Sequence, residues 1–377
     1  IVRASTAADG TEANNHSVGV LSVSADGRYV TFHSDASNLV AGDTNGIGDI
    51  FVKDLQTGAI VRANTATDGA EANRYSSGTS SISADGRYVV FSSYASNLVD
   101  GDTNNTSDVF VKDLQIGTIV RVNTAADGTE ASNGTGDDAS ISADGRYVVF
   151  SSGAIDHVAG DTNGTADVFV KDLQTGAIVR ASTAADGTEA NDGSGGTSIS
   201  ADGRYVTFLS SATNLVAGDT NGLVDIFVKD IETGAIARVN TTADGMQVNN
   251  YYIDGASISA DGRYIAFFND ASNLVAGDAN GVDDIFIAPN PLASSPSSIV
   301  TSTDTPVVFD GLSVSDADAV IIPLTIALSV AHGSLALQEA TGLTFTDADG
   351  SDGTLTFSGL ISDLNAALAV GILYIPA

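Results

Sequence analysis

Residues 18–65, VGVLSVSADGRYVTFHSDASNLVAGDTNGIGDIFVKDLQTGAIVRANT, recur five times in this chain, and that repetition constrains the fold more than any other feature. The Asp-Gly of ADGRY falls at Asp26, Asp85, Asp144, Asp202 and Asp261, so the period is 59, 59, 58 and 59 residues. A second marker keeps step, at Asp43, Asp102, Asp161, Asp219 and Asp278. A period this long, with strand patterns inside it, means a stacked or radial repeat in which each unit needs its neighbours to bury a core.

Each repeat reads as four short strands. In the first copy they cover residues 18–24, 28–34, 49–55 and 59–65. The innermost is rich in Ser, Ala and Gly, which suits a crowded axis. The second and third (RYVTFHS, DIFVKDL) are nearly continuous apolar runs, as expected of strands covered on both faces. Ala-Asp-Gly-Arg joins the first two by a tight turn in which glycine supplies positive φ. The second-to-third and fourth-to-first connections are long loops, and both should emerge on one face.

Four-stranded repeats of this kind make a β-propeller. Residues 1–5 repeat the fourth-strand pattern, and the fifth copy ends with its third strand at Ile287. The expectation is a five-bladed ring, with residues 1–5 pairing antiparallel with residues 284–287 to complete the last blade. Ile1 enters in mid-repeat, matching Ile60, so the chain is expected to be a piece of a longer one, with neighbouring modules.

The stretches Ser24-Ala-Asp-Gly-Arg-Tyr-Val-Thr-Phe32 and Asp49-Ile-Phe-Val-Lys-Asp54, with their equivalents over residues 1–288, resemble the TolB-like propeller repeat. The α/β domain that accompanies the propeller in TolB has no counterpart here, so the resemblance implies fold and no partner. Residues 289–298 (PNPLASSPSS) read as a linker. Residues 299–377 are similar to the cadherin-like tandem repeat of large bacterial adhesins and calcium-dependent exoproteins, ending within it. That likeness implies a β-sandwich module with calcium held near Asp316, Asp318, Asp347, Asp349 and Asp352.

Net charge is −32, from 47 acids and 15 bases. Such a surface repels nucleic acid and anionic membrane and attracts divalent cations. No apolar run reaches the roughly 18 residues needed to span a bilayer. The absence of cysteine fits a bacterial protein outside the cell or on its surface.

Calcium is the cofactor this pattern suggests. Asp43, Asn45 and Asp49 sit at positions 1, 3 and 7 of a glycine-containing loop that has no Lys or Arg nearby in sequence. The set recurs as Asp102, Asn104 and Asp108; Asp161, Asn163 and Asp167; Asp219, Asn221 and Asp225; and Asp278, Asn280 and Asp284. Calcium takes about six to eight oxygens, so backbone and water would supply the rest. The other reading is structural: the Asn closes an Asx-turn and the last Asp starts a strand. Glu12, Glu71, Glu130 and Glu189, replaced by Gln247 in the last copy, could add ligands from the same face.

The copies diverge just before the innermost strand. His16, Arg74, Tyr75, Asp137, Asp138, Asp192, Tyr251, Tyr252 and Asp254 fall there, where they should ring the channel mouth on the long-loop face. Such residue types suit a glycan or protein ligand. The four histidines occupy unrelated repeat positions, and no catalytic motif stands out. The expected function is therefore non-catalytic, calcium-dependent binding or adhesion. The alternatives are a carbohydrate-active enzyme using channel carboxylates such as Asp137, Asp138, Asp192 and Asp254, and a structural spacer.

Overall fold

The computed structural model describes residues 1–135, 138–242, 244–250, 253–278, 280–293, 307–309, 324–330, 333–347 and 353–375. The chain divides into two compact units, Ile1–Ser294 and Ser295–Ala377.

The first unit is built from repeated antiparallel sheets. The first blade is β1 (Ser17–Val23), β2 (Tyr29–Ser34), β3 (Asp49–Asp54) and β4 (Ile60–Arg62). The second is β5 (Ser76–Ile82), β6 (Tyr88–Ser93), β7 (Asp108–Asp113) and β8 (Ile119–Arg121). The third is β9 (Ser140–Ile141), β10 (Tyr147–Ser152), β11 (Asp167–Asp172) and β12 (Ile178–Arg180). The fourth is β13 (Ser194–Ile199), β14 (Tyr205–Ser210), β15 (Asp225–Asp230) and β16 (Ile236–Arg238). The fifth has three strands, β17 (Ile253–Ile258), β18 (Tyr264–Asn269) and β19 (Asp284–Pro289). These are propeller-type blades, each with consecutive strands side by side.

The core lies between blades. Ile50 and Val52 of the first blade pack with Val89 and Phe91 of the second. The same interleaving joins the second to the third, the third to the fourth and the fourth to the fifth. At each of these four joints a tyrosine ring covers the turn glycine of the next blade. A Cβ on Gly86, Gly145, Gly203 or Gly262 would lie 2.1–2.6 Å from Tyr29, Tyr88, Tyr147 or Tyr205. Their φ values of 71° to 75° also favour glycine. A backbone ladder runs alongside, from the Ala25 N–H to the Ala84 carbonyl (3.1 Å) and onward through Ala143, Ala201 and Ala260.

The expected closure is not made. Residues 1–5 form no strand, and β19 pairs with β18 alone among the described residues. Gly27 has no neighbour within 4 Å of its Cβ position, and Tyr264 is 48% exposed. The N-terminal segment makes the contacts with the first blade that the segment after β4 makes with the second, where Ala63 and Ala72 lie in the core and Lys112 Nζ donates to the Thr65 and Ala66 carbonyls. What is missing is the contact with β19. Ala4 and Ala13 pack on the first blade beside Phe32 and Phe51, and Lys53 Nζ donates to the Thr6 (2.9 Å) and Ala7 (3.1 Å) carbonyls. The N-terminal segment is held by the first blade, and the five blades form an open arc.

Residues 290–293 are not free linker. Asn290 is buried and donates to the Gly262 carbonyl (2.7 Å), while Leu292 and Ala293 pack on the fifth blade.

Among its described residues, the second unit has two three-stranded sheets. One contains β20 (Val307–Phe309), β25 (Ile372–Ile375) and β22 (Ser334–Leu337), and the other β21 (Leu324–Ser329), β24 (Thr354–Gly359) and β23 (Thr344–Asp347). Helix α1 (Ile361–Val370) departs from the all-β expectation for this stretch. Leu364, Ala367 and Leu368 recur at helical spacing and are buried, so burying that stripe decides the local structure. Among the described residues, no helix is long and apolar enough to cross a membrane.

Candidate functional site

The Asp–Asn–Asp loops meet a cation that their own sequence does not contain. Arg62 ends β4, opposite Phe51 of β3, so its side chain reaches over the start of β3. Its Nη1 lies 2.8 Å from Asp49, 3.3 Å from Asp43 and 2.6 Å from Glu71. Arg121 stands likewise among Asp102, Asp108 and Glu130, and Arg180 among Asp161, Asp167 and Glu189. Arg238 meets Asp219 (3.4 Å), Asp225 (3.1 Å) and the Gln247 amide oxygen (3.1 Å). All four guanidinium groups are buried.

The remaining donors complete each cluster. Asn64 Nδ2 donates to Asp49 Oδ1 at 2.7 Å, and Ser182 Oγ does the same for Asp167 at 2.6 Å. Thr44 donates to Glu71 through both its N–H (2.9 Å) and its hydroxyl (2.5 Å). Gln247 keeps the acceptor oxygen of the glutamates it replaces and takes N–H groups from Thr220 and Asn221.

Asn45 is engaged in the loop's own hydrogen bonds. Its Oδ1 accepts the Ile47 N–H at 3.1 Å, an Asx-turn, and its Nδ2 points at Asp49 and the Ala72 carbonyl. Asn104, Asn163, Asn221 and Asn280 make the same turn. Asn105 replaces the glycine of the other copies because the position needs φ near +59°, which Asn tolerates better than most residues.

Carboxylate oxygens of Asp102, Asp108 and Glu130 lie within 4.8 Å of one another, close enough to hold an ion. The guanidinium of Arg121 already stands among them. In the first four loops these carboxylates are paired with an arginine. The titration of the acids follows from this crowding. Burial first, then the neighbouring Asp108 carboxylate, pushes Asp102 up to about 6 against the pull of Arg121. Burial also pushes Asp225 up to about 6, opposed by Arg238. Hydrogen bonds from Thr44 and Thr162 hold Glu71 and Glu189 below the usual carboxylate range.

The fifth loop differs. Asp278, Asn280 and Asp284 line an open groove along β19 with Ile285 and Ile287, and no arginine pairs with them among the described residues.

The divergent residues sit on a stiff base. Asn14 Nδ2 donates to Ser37 Oγ, and Asn38 Oδ1 accepts the Asn14 N–H, so the two long loops clasp each other. The clasp recurs at Asn73, Asn191 and Asn249. Next to it, His16, Arg74, Tyr75 and Asp192 are exposed. Arg74 lies over the Tyr94 ring at 5.7 Å, and Tyr75 packs on His33 at 5.9 Å.

Asp138 is engaged elsewhere. It accepts from Ser151 Oγ (2.7 Å) and from the Gly196 N–H (2.5 Å), tying the third blade to the fourth. It borders an axial cavity of about 540 Å³ lined by the innermost segments of all five blades. Asp137, Tyr251 and Tyr252 lie outside the described residues, as do Asp316, Asp318, Asp349 and Asp352. Asp254 lies in β17 and Asp347 in β23, and their side chains are not described.

Sequence reasoning missed the arginines and lysines. A signal existed: Arg62, Arg121, Arg180 and Arg238 recur nine residues before the Glu or Gln, and Lys53, Lys112, Lys171 and Lys229 recur on the third strand.

No protein-family model and no curated protein matches the chain. Solved structures do. TolB from Acinetobacter baumannii aligns at 15% identity over 74% of this chain and 55% of its own, with a TM-score of 0.39. A putative TolB from Agrobacterium tumefaciens aligns at 15% identity over 73% of this chain and 83% of its own, at 0.42. An oligogalacturonate lyase in complex with manganese aligns at 14% identity over 75% of this chain and 68% of its own, at 0.44. The chain thus spans about half the length of the Acinetobacter protein. Likenesses this distant carry no argument about activity.

Proposed function

We propose that this chain is a non-catalytic binding module whose long-loop face holds a glycan or peptide. One observation carries the reading. Side chains that differ between copies stand exposed beside a clasp that four of the five copies build from an Asn, with Ser132 and Asp156 in its place in the third, so the scaffold varies far less than the contact surface. Arg74, Tyr75 and Tyr94 form one such patch, with Tyr75 49% and Tyr94 39% exposed. Aromatic groups on a rigid base lose little entropy on binding.

The test is capture of the chain by panels of immobilised glycans and peptides, followed by Tyr75→Ala and Tyr94→Ala. Each change should lower affinity by about 2 kcal/mol, the size expected of an aromatic anchor. Turnover of a glycan that disappears in Asp192→Asn or Asp254→Asn would contradict this reading and favour the carbohydrate-active enzyme.

The same reading assigns the cation of the first four loops to arginine. Millimolar calcium should then raise the Tm of the propeller unit no more than sodium chloride at matched ionic strength. Calcium is kept for the C-terminal unit, read as a cadherin-like spacer. There, chelation should speed proteolysis after residue 295 and leave the blades intact. A surface or extracellular setting, with further modules on either side, suits such a protein.

A further inference from the structure

The two ends of the arc carry the two halves of the joint that the four internal interfaces make. At the tail, Ile285 and Ile287 of β19 are 75% and 71% exposed, where their equivalents Val168 and Val170 are at 0% and 3%. Among the described residues, Asp278 and Asp284 stand there without the arginine found in the other four copies of the cluster. At the head, Ile1 and Val2 are fully and largely exposed, and Arg3 pairs with Glu12 at the same nine-residue spacing as Arg180 with Glu189. Arg3 has its glutamate and lacks the two aspartates.

Residues 1–5 (IVRAS) are identical to residues 178–182, which form β12 and the two residues after it. That includes Ser5, the counterpart of Ser182, which caps the Val168 N–H and the Asp167 carboxylate in the third blade. The tail also offers Tyr264, and the head offers the uncovered Gly27 that such a ring covers elsewhere.

We propose that the β19 edge is a docking surface for residues 1–5 of a second copy of this chain, joined head to tail. Within one chain β19 and residues 1–5 do not meet in this structure, and both halves of the joint are left exposed. Copying the register of β11 with β12 sets Arg3 opposite Phe286, Val2 opposite Ile287 and Ile1 opposite Ala288. Arg3 would then complete the cluster with Asp278, Asp284 and its own Glu12. Exposed edges invite such augmentation, and a head-to-tail contact that does not close on itself extends into chains.

The chain has no cysteine, so engineered ones report pairing cleanly. Residues directly opposite in an antiparallel pair are close enough for a disulfide. A Val2→Cys protein mixed with an Ile287→Cys protein should give a mixed disulfide dimer on oxidation. The double variant should give a ladder of covalent oligomers on a non-reducing gel. A double variant that yields only an internally bridged monomer, or no bridge in either experiment, would overturn the proposal. Independently, light scattering of the unmodified chain should show mass rising with concentration, and Arg3→Glu should weaken that association at least about tenfold. An unchanged association in Arg3→Glu would also overturn it.

Discussion

The third and fifth blades carry nearly the same sequence and reach different states. DVFVKD forms a strand with no exposed residue in the third, while DIFIAP alternates between partly buried and exposed in the fifth. Apolarity does not account for this, since Ile285 and Ile287 are at least as apolar as Val168 and Val170. What differs is the neighbour. In the third blade β12 covers the edge, Arg180 and Ser182 close over Asp167, and Lys171 Nζ donates to the Thr124 and Ala125 carbonyls (both 3.0 Å). In the fifth, no fourth strand pairs with β19 among the described residues, Ala288 stands where the lysine would be, and Pro289 where Asp172 pairs with Arg146. A repeat of this kind is completed by its neighbour rather than by its own composition.

The comparison can be broken at its strongest point first. Arg180→Met leaves three carboxylates facing one another around a buried space. Losing one partner of a buried ion cluster costs about 3–5 kcal/mol. At the fifth loop, where no arginine pairs with the aspartates among the described residues, Asp284→Asn should move stability by less than about 0.5 kcal/mol, as surface changes do. Urea unfolding of the two variants checks the contrast, and equal losses would remove the distinction between the blades.

Lys171→Met comes next. It removes a buried ammonium from two backbone carbonyls and should cost about 2 kcal/mol, in the range for hydrogen bonds to charged groups. Ala288→Lys in the fifth blade gives a sharper version: the new ammonium would face Thr241, the counterpart of Thr183, and a gain would show that the clamp works without a fourth strand.

The pH dependence is smaller and its sign is fixed. Asp102 and Asp225 are raised from 3.8 to about 6 in the folded state, so folding takes up protons between those values. Their contribution is full below 3.8 and is lost as pH rises through 6. Glu71 and Glu189 act oppositely, contributing above 4.5 and losing that contribution as pH falls through their lowered values. Tm should therefore rise from pH 7 toward pH 5 and fall again in stronger acid. Asp102→Asn should flatten the limb between pH 5 and 7. Smallest of all is Asn105→Gly, which relieves the positive φ at the cost of chain entropy and should change stability by under about 1 kcal/mol.

Much of the fold was legible in the sequence for a simple reason. The turn glycines, the apolar second and third strands and the small innermost strand are local signals, and each landed within two residues of its element. The arginine clusters were not legible from the loop alone. Arg62 is 13 residues beyond Asp49, and the two meet only because β4 pairs back on β3. Closure was not legible either. Residues 1–5 have the sequence of a fourth strand, and the loop after them meets Lys53 as the loop after β4 meets Lys112, yet β19 pairs with β18 alone among the described residues. In the C-terminal unit, SDLNAALAV reads as an apolar run and becomes a helix, because short apolar runs do not declare their period.

Hydrogen exchange of the five third strands, read within one sample, tests most directly that the neighbour completes the blade. At protein concentrations low enough to keep copies apart, amides of β3, β7, β11 and β15 should exchange slowly and at similar rates. Those of β19 that face the open edge should exchange at least about a hundredfold faster, since an uncovered edge opens without unfolding the blade. Protection of β19 equal to the other four under those conditions would mean that its edge is covered within the single chain, and the account of an open arc would be wrong.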